Sequence, residues 1–419
     1  MREIYLITLS GQDRPGVTAS LTETLARYGA TILDVGQAVI HELLTLGMLI
    51  EVPAEAQSGP ILKDLLFKAH ELDLRIRFSP ITAEQYTHWV NQQGKPRYII
   101  TILGRRILAG HIAAIASVLA QNGLNIDVIN RLSGRVPLAE HRISSTSYAC
   151  IEMSVRGRPQ DPQGIRARFF ELAQQTGIDI AFQEDDLYRR NRRLIALDMD
   201  STLIRQEVID LMAEAAGVGP QVRELTERAM RGEMDFRTAL QRRLRLLRGV
   251  TVQQLEEVAQ RLELTEGAER FLRVLKQIGY RTALISGGFT YFAQYLQKKL
   301  GVDYVFANEL EIRDGKLTGE IVGEIMDAEQ KASVLRQLAA KEGINLKQVI
   351  AVGDGANDLL MLQEAGLGIA FRAKPIVKQS AQHALSIVGL DAILYLMGIR
   401  DREVQAALQP QESALPTPA

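Results

Sequence analysis

Two aspartates one residue apart close the apolar start of Leu194–Ile204, LIALDMDSTLI. Asp198 and Asp200 end what reads as a buried strand, and Ser201 and Thr202 follow. Two other apolar runs also end on polar residues. TALI runs into Ser286-Gly287-Gly288, and VIAVG runs into Asp354, followed by Gly355, Asn357 and Asp358. Lys331 stands alone at the start of a helical stretch. Four carboxylates gathered at one sheet edge are strongly unfavourable without a cation. Mg²⁺ suits all-oxygen ligation and shares its shell with water and phosphate. Ser286 and the backbone N–H of Gly287 supply donors for phosphate oxygens, because glycine lets the backbone approach closely. Lys331 supplies a positive charge for a phosphoryl group in transfer. An aspartate carboxylate can attack phosphorus to form an aspartyl-phosphate. A second, two residues on, can protonate the leaving alkoxide and later deprotonate the attacking water.

These residues need a scaffold that brings strand ends together. From residue 185 to about 400, strand patterns alternate with helical ones, which predicts a doubly wound parallel sheet. In such sheets chemistry sits at the carboxyl ends of the strands. The stretch from about 205 to 262 reads as helix throughout and is placed as a cap over those ends. Ahead of it lies an internal repeat. Tyr5–Val35, YLITLSGQDRPGVTASLTETLARYGATILDV, resembles Tyr98–Val128, YIITILGRRILAGHIAAIASVLAQNGLNIDV. Each copy reads as an alternating strand, a glycine-containing loop, an amphipathic helix and a strand. With the segments that follow, the order βαββαβ predicts two ferredoxin-like units over residues 1–80 and 96–182. The polar stretch NQQGKP joins them, and residues 408–419 read as a disordered tail.

The chain has 419 residues and a net charge of −1, with 49 Lys plus Arg against 50 Asp plus Glu. That balance offers no global attraction to nucleic acid or to an anionic membrane. The arginines at 189, 190, 192 and 193 read as a solvated linker rather than a nucleic-acid patch. No apolar run approaches the ~20 residues that span a bilayer. MREIYLITLS lacks the pattern of a signal peptide. The single cysteine, Cys150, excludes an internal disulfide. A cytoplasmic protein is expected. Cys150 and Trp89 read as packing residues, and the six histidines show no metal-ligand spacing.

The motifs DMDST, SGG, the lone Lys331 and GDGAND resemble, in order, the four motifs of the haloacid dehalogenase-like phosphohydrolases, and within them the phosphoserine phosphatase family. The resemblance implies Asp198 as nucleophile and Asp200 as general acid and base. It implies Mg²⁺ held by Asp198, the backbone carbonyl of Asp200 and Asp354, with Asp358 supporting. Ser286, Gly287 and Asn357 are then expected to bind substrate, with Lys331 steadying the phosphate. In the cap, Glu207 is expected to meet an ammonium group and Arg243 a carboxylate. Met230 and Phe236 would close the pocket. Phe236 and Arg243, seven apart, share one helix face. A glutamate and an arginine suit a zwitterionic amino-acid head. The expected reaction is hydrolysis of O-phospho-L-serine, the last step of serine biosynthesis. The same chemistry on phosphothreonine or phosphohomoserine is the first alternative, and a non-catalytic amino-acid sensor the second. The tandem repeats resemble ACT domains, regulatory modules that bind amino acids. GQDRPGVT implies an effector loop at Asp13 and Gly16, with Gly104 of the second repeat as its opposite wall. Serine feedback and a homodimer formed through these domains are the implied regulation.

Overall fold

The computed structural model describes residues 3–92, 94–135 and 148–409. It divides into two compact units, residues 1–95 and 96–419. The first unit holds β1 (Glu3–Gln12), α1 (Val17–Arg27), β2 (Thr31–Ile40), β3 (Leu43–Val52), α2 (Ser58–Glu71), β4 (Leu74–Ile81) and α3 (Ala83–Asn91). Its antiparallel sheet has the order β2-β3-β1-β4. Leu44, Leu46, Met48, Ile50 and Val52, every second residue of β3, are buried. They face Val17, Leu21 and Leu25 of α1 and Ile61, Leu65 and Ala69 of α2, spaced four apart on each helix. The helix α3 lies in a stretch that the sequence reading left without an element. It buries no residue, and Trp89 is half-exposed there beside Tyr86.

The second unit opens with the same arrangement: β5 (Arg97–Gly104), α4 (Ala109–Gln121), β6 (Asn125–Arg131), β7 (Ala149–Arg156), α5 (Pro162–Thr176) and β8 (Asp179–Glu184). The sheet order is β6-β7-β5-β8. Here the strand expected to alternate does not, because residues 99–104 of β5 are all buried. Ile100 and Ile102 pack under α4 and α5. Leu103 on the other face joins a core shared with the catalytic half, as does Cys150 of β7. A sheet covered on both sides requires apolar residues on both. Polar contacts finish the docking. The Asp179 carboxylate accepts the N–H groups of Ser386 and Ile387 at 2.8 and 2.9 Å. Arg105 spans both oxygens of Glu266 at 2.8 and 2.9 Å. The arginine-rich linker, expected to be solvated, is partly buried. Arg190 and Arg193 are exposed, but Arg189 and Arg192 are buried, Arg189 pairing with Glu152 of β7.

The catalytic half contains β9 (Leu194–Leu197), α6 (Val208–Ala215), α7 (Gly219–Met230), α8 (Phe236–Leu246), α9 (Val252–Gln260), α10 (Ala268–Gln277), β10 (Arg281–Phe289), α11 (Thr290–Leu300), β11 (Tyr304–Arg313), β12 (Lys316–Val322), α12 (Ala328–Lys341), β13 (Val349–Gly353), α13 (Leu359–Glu364), β14 (Leu367–Phe371), α14 (Pro375–Ser380), β15 (His383–Leu385), α15 (Ile393–Leu396) and α16 (Asp401–Leu408). The sheet order is β12-β11-β10-β9-β13-β14-β15. All its pairs are parallel except β11–β12, an edge hairpin absent from the sequence reading, as were β14 and β15. With β9 flanked by β10 on one side and β13 on the other, the chain reverses its direction of winding at β9. The ends of these three strands therefore border one crevice. The helices α6–α9 form the cap, whose two connections pair at Ile204 and Leu264. Leu408 is helical, and the rest of the expected disordered tail, from residue 410, lies outside the described residues. Among the described residues no helix is long and apolar enough to cross a membrane.

Candidate active site

The four residues of β9 are fully buried. Its hydrogen bonding runs on into the crevice, where the Asp198 N–H donates to the Val352 carbonyl at 2.9 Å. The chain then turns sharply through Ser201, held at φ 53°. Such left-handed strain in a residue with a side chain persists where surrounding contacts impose it. The turn points Asp198 and Asp200 into the same space. Asp198 is 5 % exposed and Lys331 is 0 % exposed. Lys331 Nζ lies 2.9 Å from Asp198 Oδ1 and 2.7 Å from Asp358 Oδ1. The other oxygen of Asp358 accepts the Gly355 N–H at 3.0 Å. Thr202 donates toward Asp354 Oδ1 at 3.4 Å.

Charge in this crevice is unbalanced. Carboxylate oxygens of Asp198, Asp354 and Asp358 lie within 4.8 Å of one another. Burial, then Asp198 and Asp358, pushes Asp354 up to about 8. Burial and Asp198 raise Asp358 to about 6 against the pull of Lys331. One ammonium does not neutralise the group, and Asp198 Oδ1 lacks a well-directed hydrogen bond despite the nearby lysine. A buried carboxylate oxygen left open among other carboxylates suits a divalent cation with oxygen ligands. Asp200 differs. Its Oδ1 accepts the N–H of Val208, the first residue of α6, at 3.1 Å. Burial, Glu207 and Asp198 push its carboxyl above the usual carboxylate range, which favours the protonated form.

β10 supplies the facing wall. Ser286 is fully buried, and its Oγ accepts the Gly288 N–H at 3.0 Å. A Cβ on Gly288 would stand 2.5 Å from Asp200 Oδ2 and 2.7 Å from Met199 Cε. Gly288→Ala is therefore expected to displace the Asp200 carboxyl and to lower kcat/KM for a phosphomonoester about 10²-fold, since misplacement by an ångström costs that much. Steady-state phosphate release checks this.

The cap closes over these groups. Phe236, the first residue of α8, comes within 3.3 Å of the place a Gly287 Cβ would occupy, and Asn357 Nδ2 within 3.4 Å. Arg243 follows two turns along α8, half-buried while Arg242 and Arg245 are exposed. It donates to the Ala239 carbonyl at 3.3 Å and toward Thr226 Oγ1 at 3.4 Å. Among the described residues no carboxylate forms an ion pair with it. Burial lowers its pKa while Glu207 and Asp210 oppose the shift. Glu207 precedes α6 and accepts the Ser201 hydroxyl at 2.7 Å. Met230 ends α7, and its side chain lies outside the described residues. Sequence reasoning passed over Thr202, the steric role of Gly288, and Asn308, whose only signal was a polar residue inside the apolar strand YVFANEL.

The expected effector residues lie elsewhere. Asp13 and Gly16 precede α1 in the first unit, with Gly16 at φ 91°. Gly104 ends β5 in the second unit, buried opposite Ala149 and beneath Ile178.

Residues 3–79 and 97–183 each match the ACT domain, and residues 195–363 match the haloacid dehalogenase-like hydrolases. The chain is 40% identical over 402 residues to a phosphoserine phosphatase from Streptomyces coelicolor, covering 96% of this chain and 94% of that protein. It is 40% identical over 408 residues to the phosphoserine phosphatase SerB2 of Mycobacterium tuberculosis, covering 96% and 95%. Among solved structures, the unliganded probable phosphoserine phosphatase from Vibrio cholerae superposes with a TM-score of 0.57 at 32% identity. That match covers 74% of this chain and 88% of that one.

Proposed function

The chain belongs to the phosphoserine phosphatase family of the haloacid dehalogenase-like hydrolases, and from that premise we propose that it hydrolyses O-phospho-L-serine to L-serine and phosphate. The observation that carries the proposal is the Asp198, Asp354 and Asp358 cluster. Lys331, buried, pairs with it, and Asp200, whose carboxyl burial and nearby carboxylates shift upward, lies beside it. Asp198, Asp354 and the backbone carbonyl of Asp200 would hold Mg²⁺, with Asp358 supporting. The ion would screen the carboxylates and polarise a phosphate oxygen.

Within that frame the chain's own groups perform the steps. Ser286, the Gly287 N–H, Asn357 and Lys331 hold the phosphoryl oxygens and place phosphorus opposite the Asp198 carboxylate. That carboxylate forms a bond to phosphorus as the bond to the serine oxygen breaks. As general acid, Asp200 gives a proton to that oxygen, so serine leaves neutral at its hydroxyl. Water then attacks phosphorus, Asp200 takes a proton from it, and the bond to Asp198 breaks to release phosphate. The cap recognises the amino-acid part. Arg243, with no carboxylate ion-paired to it among the described residues, would take the substrate carboxylate, and Glu207 the ammonium.

Phosphate release from phosphoserine and from an aryl phosphate, with and without Mg²⁺, tests the reading. Release from phosphoserine is expected only with the cation. Arg243→Ala is expected to cost about 2–5 kcal/mol in kcat/KM for phosphoserine and far less for the aryl phosphate, which carries no carboxylate. Equal losses would remove Arg243 from substrate recognition. Equal turnover of phosphothreonine would favour the broader alternative.

Regulation by serine at the first ACT domain belongs to the same proposal. Gly16 leaves open backbone N–H groups at the start of α1, where a carboxylate is favoured, and Asp13 is exposed beside it. Because Gly16 is at φ 91°, an alanine there would be strained, so Asp13→Ala is the cleaner probe. It is expected to weaken serine inhibition while uninhibited turnover stays near wild type. Purely competitive inhibition, unchanged in that variant, would leave the domain without an effector role. A homodimer is proposed through β2, an edge strand exposing Ile32, Val35, Val39 and Ile40. Cys150, buried and unpaired, is compatible with a cytoplasmic setting.

A further inference from the structure

β10 and β11 pair in parallel as far as Ile285 with Phe306 and resume only at Phe289 with Asn308. Ser286, Gly287 and Gly288 therefore leave the ladder just where phosphate is to be held. The Gly287 carbonyl has lost its strand partner, and a buried carbonyl left alone is costly. Asn308 takes that place. Its side chain is 1 % exposed, and its Nδ2 donates to the Gly287 carbonyl at 2.7 Å. The Oδ1 of the same carboxamide accepts the Met326 N–H at 2.8 Å. A carbonyl requires a donor and an N–H an acceptor, so these two partners decide which way the amide faces. The strand end is itself anchored by the Thr290 hydroxyl, which donates to the carbonyls of Ala307 and Asn308 at 3.1 and 3.2 Å.

We propose that Asn308 is a positioning residue for the phosphoryl group, one carboxamide that sets the Ser286–Gly288 loop and the start of α12 in register. This rests on the phosphatase reading above. On one side, the peptide between Gly287 and Gly288 is held at both ends, its carbonyl by Asn308 and its N–H by Ser286 Oγ at 3.0 Å. With that lone pair of Ser286 engaged, the hydroxyl hydrogen is free to be donated to a phosphate oxygen. On the other side, Met326 directly precedes Asp327, whose carboxylate accepts the Gln330 N–H at 3.1 Å and caps the helix carrying Lys331. The two groups that grip the phosphoryl oxygens from different elements, Ser286 and Lys331, are thereby fixed against each other. Asn308 touches no substrate itself.

Asn308→Asp and Asn308→Ser test this. The first keeps the size and the acceptor for Met326 but turns a carboxylate oxygen toward the Gly287 carbonyl. The second is too short to bridge the two partners. The KM for phosphoserine and the inhibition constant of inorganic phosphate are expected to rise together by about tenfold in both variants, the effect of one misdirected buried hydrogen bond. Both constants are independent of how much of a preparation has folded, so a loss of stability does not mimic the result. If both stay within about twofold of wild type while only melting temperature or specific activity falls, Asn308 is a packing residue and the proposal is overturned. Wild-type protein that releases no phosphate from phosphoserine overturns the phosphatase reading itself. Active wild type with unchanged variants overturns only the role of Asn308.

Discussion

Asp198→Asn is expected to reduce turnover by at least about 10⁴-fold and to leave no phosphate on the protein after an acid quench. An amide oxygen is a poor nucleophile toward phosphorus, because its electron density is delocalised onto nitrogen and it carries no charge. Neither Asp358 nor Asp200 is free to take over. Asp358 is fully buried and engaged with Lys331 and with the Gly355 N–H. Asp200, whose carboxyl is shifted toward the protonated form, is tied to the Val208 N–H. The fold is expected to survive. Lys331 keeps Asp358 as a partner, and the change relieves repulsion on Asp354 and Asp358, whose carboxyls are raised partly by Asp198. Melting close to wild type, with phosphoenzyme absent, identifies the nucleophile. Near-normal turnover would remove Asp198 from that role and the mechanism with it.

Lys331→Met removes the buried cation that directly pairs two of these carboxylates, at 2.9 and 2.7 Å. Burial alone would favour neutral lysine, yet Asp198 and Asp358 reverse the balance and raise its pKa above the ordinary value. Losing it leaves Asp198 and Asp358 buried without their partner. Breaking a buried pair in this way costs about 3–5 kcal/mol of stability. Turnover is expected to fall about 10³-fold, as when a preorganised charge is removed from a transition state. The two losses separate in thermal melts with and without Mg²⁺. A divalent cation supplies part of the missing positive charge, so added Mg²⁺ is expected to raise the melting temperature of the variant more than that of wild type. It is not expected to restore turnover, since the contact proposed between the ammonium and the phosphoryl group is still missing. A variant that melts like wild type and turns over within a few-fold of it would show that Lys331 is dispensable.

How much of this was legible beforehand differs from residue to residue. Asp198, Asp200, Ser286, Gly287, Lys331, Asp354 and Asp358 stand at strand ends or helix starts whose periodicity is plain in the chain. Alternation of strands and helices places such ends on one edge of a sheet whatever the details of packing. Phe236 and Arg243 were legible as one helix face, because their spacing is a matter of helical geometry alone. The repeat of βαββαβ units was equally local, since each builds its own core from residues at period two and at spacing four.

The rest waited for contacts between segments far apart in sequence. A strand bearing apolar residues on both faces looks much like an ordinary strand until something covers its second face. Only docking on the catalytic half shows why Leu103 and Cys150 are buried. Arg189 and Arg192 read as solvated because isolated arginines usually are. Glu152 and Gln183, 37 and 9 residues away, make their burial tolerable. The edge hairpin of β12 carried too weak a pattern to be separated from loop. Asn308 is the clearest case. Its type and position reveal nothing locally, because its two partners, Gly287 and Met326, lie 21 residues before it and 18 after. Local pattern determines which residues can face a common crevice. Which backbone groups are left unpaired there, and which side chain must answer for them, depends on how neighbouring strands slip out of register, and that is settled only when the sheet is assembled.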